Sequence, residues 1–247
     1  MGRNQTEQGR DMDTLYIVMP AYNEEANIEA VIKQWYPILE DKGEDSRLLV
    51  AASGSTDATN EILKNLKSDY PKLITLDDTL QFHGPKLMSL YRYAIDSNAD
   101  YIFQTDSDGQ TNPDEFAGFW EQRREYDGIF GYRPVRGDGA ARKMVEKVVC
   151  ILLKLYFKVD IPDANAPFRL MKAETLKKYM GRIPDDFNIP NIMFTTFFVR
   201  YQERYKFERI TFKPRRAGNN SINIRKIVKI GIKALGDFAR LRREMLR

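Results

Sequence analysis

Two aspartates separated by one residue, Asp106 and Asp108, are the clearest chemical signal in the chain. They follow Tyr101-Ile102-Phe103-Gln104, which reads as a buried strand, and precede Gly109-Gln110. Carboxylates with this spacing at a strand end can reach one hard cation. Mg²⁺ or Mn²⁺ accepts such oxygen ligands and keeps positions open for substrate phosphates. Gln110 offers a further oxygen, so Asp106, Asp108 and Gln110 are the expected metal set. Taken alone, Asp-x-Asp reads equally as a capped turn before a helix at Pro113. Its company argues for the site: Pro20-Ala21-Tyr22-Asn23-Glu24 and Ser53-Gly54 also stand at predicted strand ends.

The elements that would position these clusters alternate in type. Leu15 to Met19 is an apolar run stopped by Pro20. Asn27 to Leu39 carries helical spacing through Ile28, Val31, Ile32, Trp35 and Leu39. Leu48 to Ala51 is a second strand, and Gly54-Ser55-Thr56-Asp57 a turn that can cap a helix over Ala58 to Leu66. Leu73 to Leu76 is a third strand, and Lys86 to Ser97 a helix. Strands alternating with helices predict an α/β fold with a mostly parallel central sheet flanked by helices. Such sheets bind ligands in the crevice beyond the carboxyl ends of their strands. The three polar clusters should therefore converge there.

The second half is less regular. Ile129 to Tyr132 reads as a strand, followed by a polar loop with Arg133, Arg136, Asp138 and Arg142. Met144 to Phe157 is a strongly apolar helix, Phe168 to Met171 an edge strand, and a helix follows Pro190. Arg209 to Phe212 reads as a further strand.

Composition narrows the partners. The single cysteine, Cys150, excludes an internal disulfide and reads as a core thiol in a reducing compartment. Residues 1–13 are polar, without the apolar centre of a secretory signal, and read as a disordered leader. No apolar run approaches the ~18 residues of a membrane span. The net charge of +4 is unevenly spread: from Lys213 onward there are eleven Lys or Arg against two acidic residues. The rest of the chain carries an acidic excess. Residues 222–247 form a predicted basic amphipathic helix, separate from the domain at 14–221. Ile224, Ile227, Val228, Leu235, Phe238 and Leu241 share its apolar face. Such a helix suits the surface of an anionic membrane, or packs on its own domain with a solvated basic face. Nucleic acid is not an expected partner, because the basic residues lack interleaved aromatics.

The ordered set Pro20-Ala21-Tyr22-Asn23-Glu24-Glu25, Gly54-Ser55-Thr56-Asp57 and Asp106-Ser107-Asp108-Gly109-Gln110 resembles family 2 glycosyltransferases. Gly131-Tyr132-Arg133, Arg142, Ala166 to Met171, and Arg215 with Gly218 extend the resemblance to the polyprenyl-phosphate transferases, the dolichyl-phosphate mannose synthase type among them. The resemblance spans about residues 14 to 247. It implies a GT-A fold and inverting transfer from a nucleotide-diphosphate sugar to a polyprenyl-phosphate acceptor, peripherally at the cytoplasmic face of the membrane.

It also implies roles. Pro20, Ala21, Tyr22, Glu24, Ser53, Gly54 and Ser107 would line the donor site, with Arg215 near its phosphates. Asp106, Asp108 and Gln110 would hold the metal, and Arg133 and Arg142 the acceptor phosphate. If the acceptor is a hydroxyl instead, a carboxylate base is needed, and Asp185 or Asp186 is the candidate. The family carries two acidic residues where this chain has Ala52 and Ser53. That departure keeps open a silent nucleotide-sugar binding module. A nucleotidyltransferase would need a glycine-rich loop with a basic residue near the N-terminus, and Pro20-Ala21-Tyr22-Asn23 lacks it.

Overall fold

The structure is a computed structural model. It describes residues 12–135 and 140–214, apart from the side chains of 140–143, and positions 236, 238 and 242. The elements run β1 (Leu15–Pro20), α1 (Ile28–Trp35), β2 (Arg47–Ala51), α2 (Thr59–Leu66), β3 (Leu73–Leu76), α3 (His83–Asp96), β4 (Tyr101–Thr105), α4 (Phe116–Glu121), β5 (Gly128–Tyr132), α5 (Ala140–Phe157), β6 (Phe168–Lys172), α6 (Ala173–Met180), α7 (Pro190–Arg200) and β7 (Tyr205–Arg209). The strands among the described residues form one sheet in the order β3-β2-β1-β4-β6-β5-β7.

The first half is the parallel βαβ unit that the alternation predicts. β1 lies between β2 and β4 and pairs parallel to both. Its residues are buried on both sides, so the strand is one apolar run rather than an alternating one. The period of two still sorts the two cores. Leu15, Ile17 and Met19 face Trp35 and Phe103, while Tyr16 and Val18 face Leu87, Tyr91 and Phe194. On β4, Gln104 lies on the Ile102 face, toward α3 and α7. This placement matters below.

The second half differs from the expectation in two places. β6 is interior, antiparallel to both β4 and β5. An arginine within Phe168-Arg169-Leu170-Met171 favours an exposed strand in sequence, but here the guanidinium turns inward and is met by carbonyls. The strand expected over Arg209 to Phe212 lies earlier, at Tyr205–Arg209, where β7 pairs parallel to β5. α3 also starts three residues before the predicted Lys86. Pro85 falls in its first turn, where the missing N–H costs nothing. Cys150 is half-buried rather than core, its thiol pushed up to about 12 by burial and then by Glu146. Asp13 is tied into the domain by Arg123, at 2.7 Å.

Candidate active site

The loops after β1, β2 and β4 do meet, and hydrogen bonds fasten them. Ser107 Oγ donates to the Pro20 carbonyl at 2.9 Å, joining the Asp106–Asp108 loop to the loop after β1. The Asn23 amide donates to Ser55 Oγ, and the Thr56 amide to Asn23 Oδ1 at 2.8 Å. The Glu24 amide donates to Thr59 Oγ1 at 2.9 Å. Glu24 itself is buried and accepts from Asn27 Nδ2 at 2.8 Å. Ser53 pairs with the Thr79 hydroxyl. A side chain on Gly54 would collide with Gln81, so this loop is packed against residues 79–81. Tyr22 stays exposed at the mouth of the crevice.

Asp106 and Asp108 sit on the turn that Gly109 makes with φ +72°, a region glycine enters without penalty. Asp108 Oδ1 accepts the Gln110 amide at 3.1 Å. Asp106 Oδ1 accepts Gln104 Nε2 at 3.2 Å. Burial first, then the negative charges of Asp108 and Glu24, hold the Asp106 carboxyl above the usual carboxylate range, against the pull of Arg133 and Arg169. A carboxylate pair with this excess of negative charge fits a divalent cation. Among the described residues no three His, Cys, Asp or Glu side chains form a cage. Asp106 and Asp108, with the side-chain oxygen of Gln110, are the residues that could hold such a cation.

Gln110 makes structural contacts of its own. Its Nε2 donates to the Lys213 carbonyl at 2.7 Å, and the Lys213 amide returns a bond to the Gln110 carbonyl at 2.8 Å. The side chain therefore fastens the chain that leads to Arg215 beside the aspartate loop. Arg215 itself, the side chain of Arg142, and the predicted helix at 222–247 lie outside the described residues, except for positions 236, 238 and 242. Phe238 is buried and packs edge-on against Phe157 at 5.8 Å.

Arg133 is placed at the end of β5, in a fork with Asp163: Nε to Oδ2 at 2.7 Å and Nη2 to Oδ1 at 2.9 Å. The two side chains are only 5% and 4% exposed. Asp163 also accepts the Arg133 amide at 3.2 Å, and the guanidinium lies over the Phe212 ring. Asp185, one of the two candidate bases, is paired with Arg92 at the surface, and that contact holds its carboxyl below the usual range; neighbouring Asp186 is exposed.

Several contacts at the site were not legible in sequence. Lys86 is 1% exposed, donates from Nζ to the Ala21 carbonyl at 2.6 Å and lies over the Tyr22 ring at 5.4 Å. Burial pushes its pKa down to about 8. Neighbouring His83 is exposed at the start of α3, with protein around the rest of its ring. That desolvation, then the Lys86 and Arg169 charges, push it down to about 4. Behind Asp106 runs a buried polar chain. Gln104 Oε1 accepts Asn191 Nδ2 at 3.1 Å, and Asn191 Oδ1 accepts the Tyr91 hydroxyl at 2.8 Å. Arg169 Nη1 donates to the Asn191 carbonyl at 2.9 Å and Nη2 to the Ala166 carbonyl at 2.8 Å. Gly84 makes this possible: a Cβ there would meet the Phe187 carbonyl at 2.0 Å. The stretch Phe187 to Asn191 thus packs directly on the start of α3.

A model of glycosyl transferase family 2 matches residues 16–180. The chain belongs to glycosyl transferase family 2. Among curated family relatives, it is 31% identical over 100 residues to the succinoglycan biosynthesis protein ExoA of Rhizobium meliloti, covering 40% of this chain and 29% of that one. It is 23% identical over 166 residues to the undecaprenyl-phosphate mannosyltransferase of Micrococcus luteus, covering 65% and 67%. A third relative is the undecaprenyl-phosphate 4-deoxy-4-formamido-L-arabinose transferase of Pectobacterium carotovorum, at 24% over 148 residues, 58% and 44%. The chain spans from under a third to about two thirds of the length of these relatives.

Glucosyl-3-phosphoglycerate synthase from Mycobacterium tuberculosis, crystallised with Mn²⁺, UDP-glucose and phosphoglyceric acid, matches with a TM-score of 0.64 at 18% identity. The match covers 92% of this chain and 81% of that one. The fold is GT-A, as the sequence resemblance implies. No helix among the described residues is long and apolar enough to cross a membrane.

Proposed function

We propose that this chain transfers a sugar, with inversion, from a nucleotide-diphosphate donor to a polyprenyl phosphate, peripherally at the cytoplasmic membrane face. One observation carries the reading: Ser107 welds the Asp106–Asp108 loop to Pro20, so the carboxylate pair and the Pro20–Glu24 loop form one rigid crevice. Relatives named for undecaprenyl-phosphate transfer support the acceptor.

Asp106 and Asp108 would hold Mg²⁺ or Mn²⁺, which when bound offsets charge on the leaving diphosphate. Lys86, beside Tyr22 and the Ala21 carbonyl, places a cation at the same crevice. Pro20, Ala21, Tyr22, Glu24, Ser53 and Gly54 frame the donor side. Arg142 and Arg215 are assigned to acceptor and donor phosphates. Arg133 contributes positive charge from its buried fork with Asp163. The acceptor phosphate oxygen is already anionic. It bonds to the anomeric carbon from the face opposite the diphosphate, whose C–O bond breaks, and no proton has to be removed. Catalysis then rests on positioning and electrostatics.

The test is a panel of nucleotide sugars with polyprenyl phosphate and Mn²⁺ or Mg²⁺, reading lipid-linked sugar. Product from one donor is expected. Donor binding with no transfer to any lipid phosphate would refute the reading.

A further inference from the structure

We infer that the outer face of α5 is a docking surface for an anionic lipid bilayer. Met144, Val148, Ile151 and Leu155 are 69%, 49%, 58% and 59% exposed. Their spacing of four, three and four residues stacks them in one narrow stripe along the helix. The opposite side carries Leu153 and Phe157, both buried in the core. The stripe is therefore surplus to the fold, and stripes of this kind are uncommon on monomers without a partner.

Charge identifies the occupant. Lys147 and Lys154 are exposed along one flank of the stripe, and exposed Lys158 follows directly after the helix end. Lys154 meets Asp160 at 3.5 Å, across an exposed and weak contact. No described carboxylate pairs with Lys147 or Lys158. Half-buried Glu146 turns inward and accepts the Ala164 amide at 2.9 Å. An apolar stripe beside a lysine row matches acyl chains below anionic headgroups. α5, with 18 residues, does not qualify as a span, so it would lie in the interface.

The geometry connects this face to the crevice. The Glu146 turn is bonded to Ala164, next to Asp163, which holds Arg133. A bilayer on α5 would bring lipid phosphates to the start of that helix. The benefit to transfer rests on the lipid-acceptor reading, but docking itself needs neither donor nor acceptor.

The experiment is vesicle co-sedimentation of the full chain, with phosphatidylcholine vesicles carrying phosphatidylglycerol or phosphatidylcholine alone. The wild-type chain should bind the anionic vesicles more tightly. Ile151→Ser with Leu155→Ser should weaken that binding at least about tenfold. Lys147→Gln, Lys154→Gln and Lys158→Gln combined should weaken it roughly 100-fold at low salt, from the usual contribution of each lysine near an anionic surface. Melting temperature, molecular mass, and transfer to a short water-soluble polyprenyl phosphate should stay unchanged in both variants. Undiminished vesicle binding would overturn the inference. So would a fall in melting temperature of several degrees, which would place the stripe against the chain's own residues, or a change in mass, which would place it against a second copy. Vesicle binding by a chain that transfers to no lipid phosphate would refute the proposed reaction and leave the docking surface standing.

Discussion

Replacing Asp163 with alanine removes both partners of the Arg133 fork, at 2.7 and 2.9 Å, and the acceptor of the Arg133 amide. The guanidinium stays in a pocket where it is 5% exposed. Leaving one member of a buried ion pair unpaired typically costs about 3–5 kcal/mol. Each kcal/mol moves the melting temperature by about 2–4 °C in a chain of this size, so a fall of roughly 6–20 °C is expected. The double replacement Arg133→Met with Asp163→Leu should recover most of that loss, since an apolar pair of similar volume has no charge to strand. The Arg92–Asp185 pair is the control: its side chains are 49% and 59% exposed. Arg92→Ala should therefore cost no more than about 1 kcal/mol. Thermal and urea denaturation of the wild type and the three variants closes the comparison. A loss for Asp163→Ala as small as that for Arg92→Ala would refute the reasoning, and would return Arg133 to the role of a mobile phosphate clamp.

Asn191→Leu strands the Tyr91 hydroxyl and Gln104 Oε1. It should cost about 1–3 kcal/mol for each stranded group in urea unfolding, and lower turnover through the Gln104 contact to Asp106. Gly84→Ala should destabilise the chain by several kcal/mol, because backbone rather than a flexible side chain blocks the new Cβ. The buried Lys86 predicts a pH effect. Its folded pKa of about 8 lies below the ordinary 10.5. Between those values the unfolded chain holds more protons, so this group makes stability rise with pH across that window. Urea midpoints of the wild type should rise relative to Lys86→Met over the same interval. Donor affinity should meanwhile fall as pH passes about 8 and the cation at the crevice is lost.

Local pattern carried the first half of the fold. β1, β2, β3 and β4 are apolar runs with turn residues at their ends, and their pairing is parallel and sequential around β1. The convergence of Pro20, Ser53 and Asp106 follows from that topology alone. Non-local contacts hid the rest. The interior place of β6 depends on carbonyls from 164, 166 and 191 that receive the Arg169 guanidinium, and no spacing in the sequence announces them. Nothing in the sequence announces that the fold brings the Ala21 carbonyl to the Lys86 ammonium group. Asn191 stands in a stretch without a recognisable motif. Its amide side chain in a mostly apolar helix was the one available signal. Gln110 and Arg133 were singled out for their chemistry, and the structure adds structural partners for both that sequence could not supply.

Titration calorimetry of a nucleotide-diphosphate sugar into the chain, with Mn²⁺ and with chelator, addresses the central claim most directly, run beside Asp108→Asn. The account predicts donor binding that depends on the metal and weakens at least about tenfold in the variant, with an unchanged melting curve. Equal affinity in chelator, or in Asp108→Asn, would contradict a crevice organised around the Asp106–Asp108 pair.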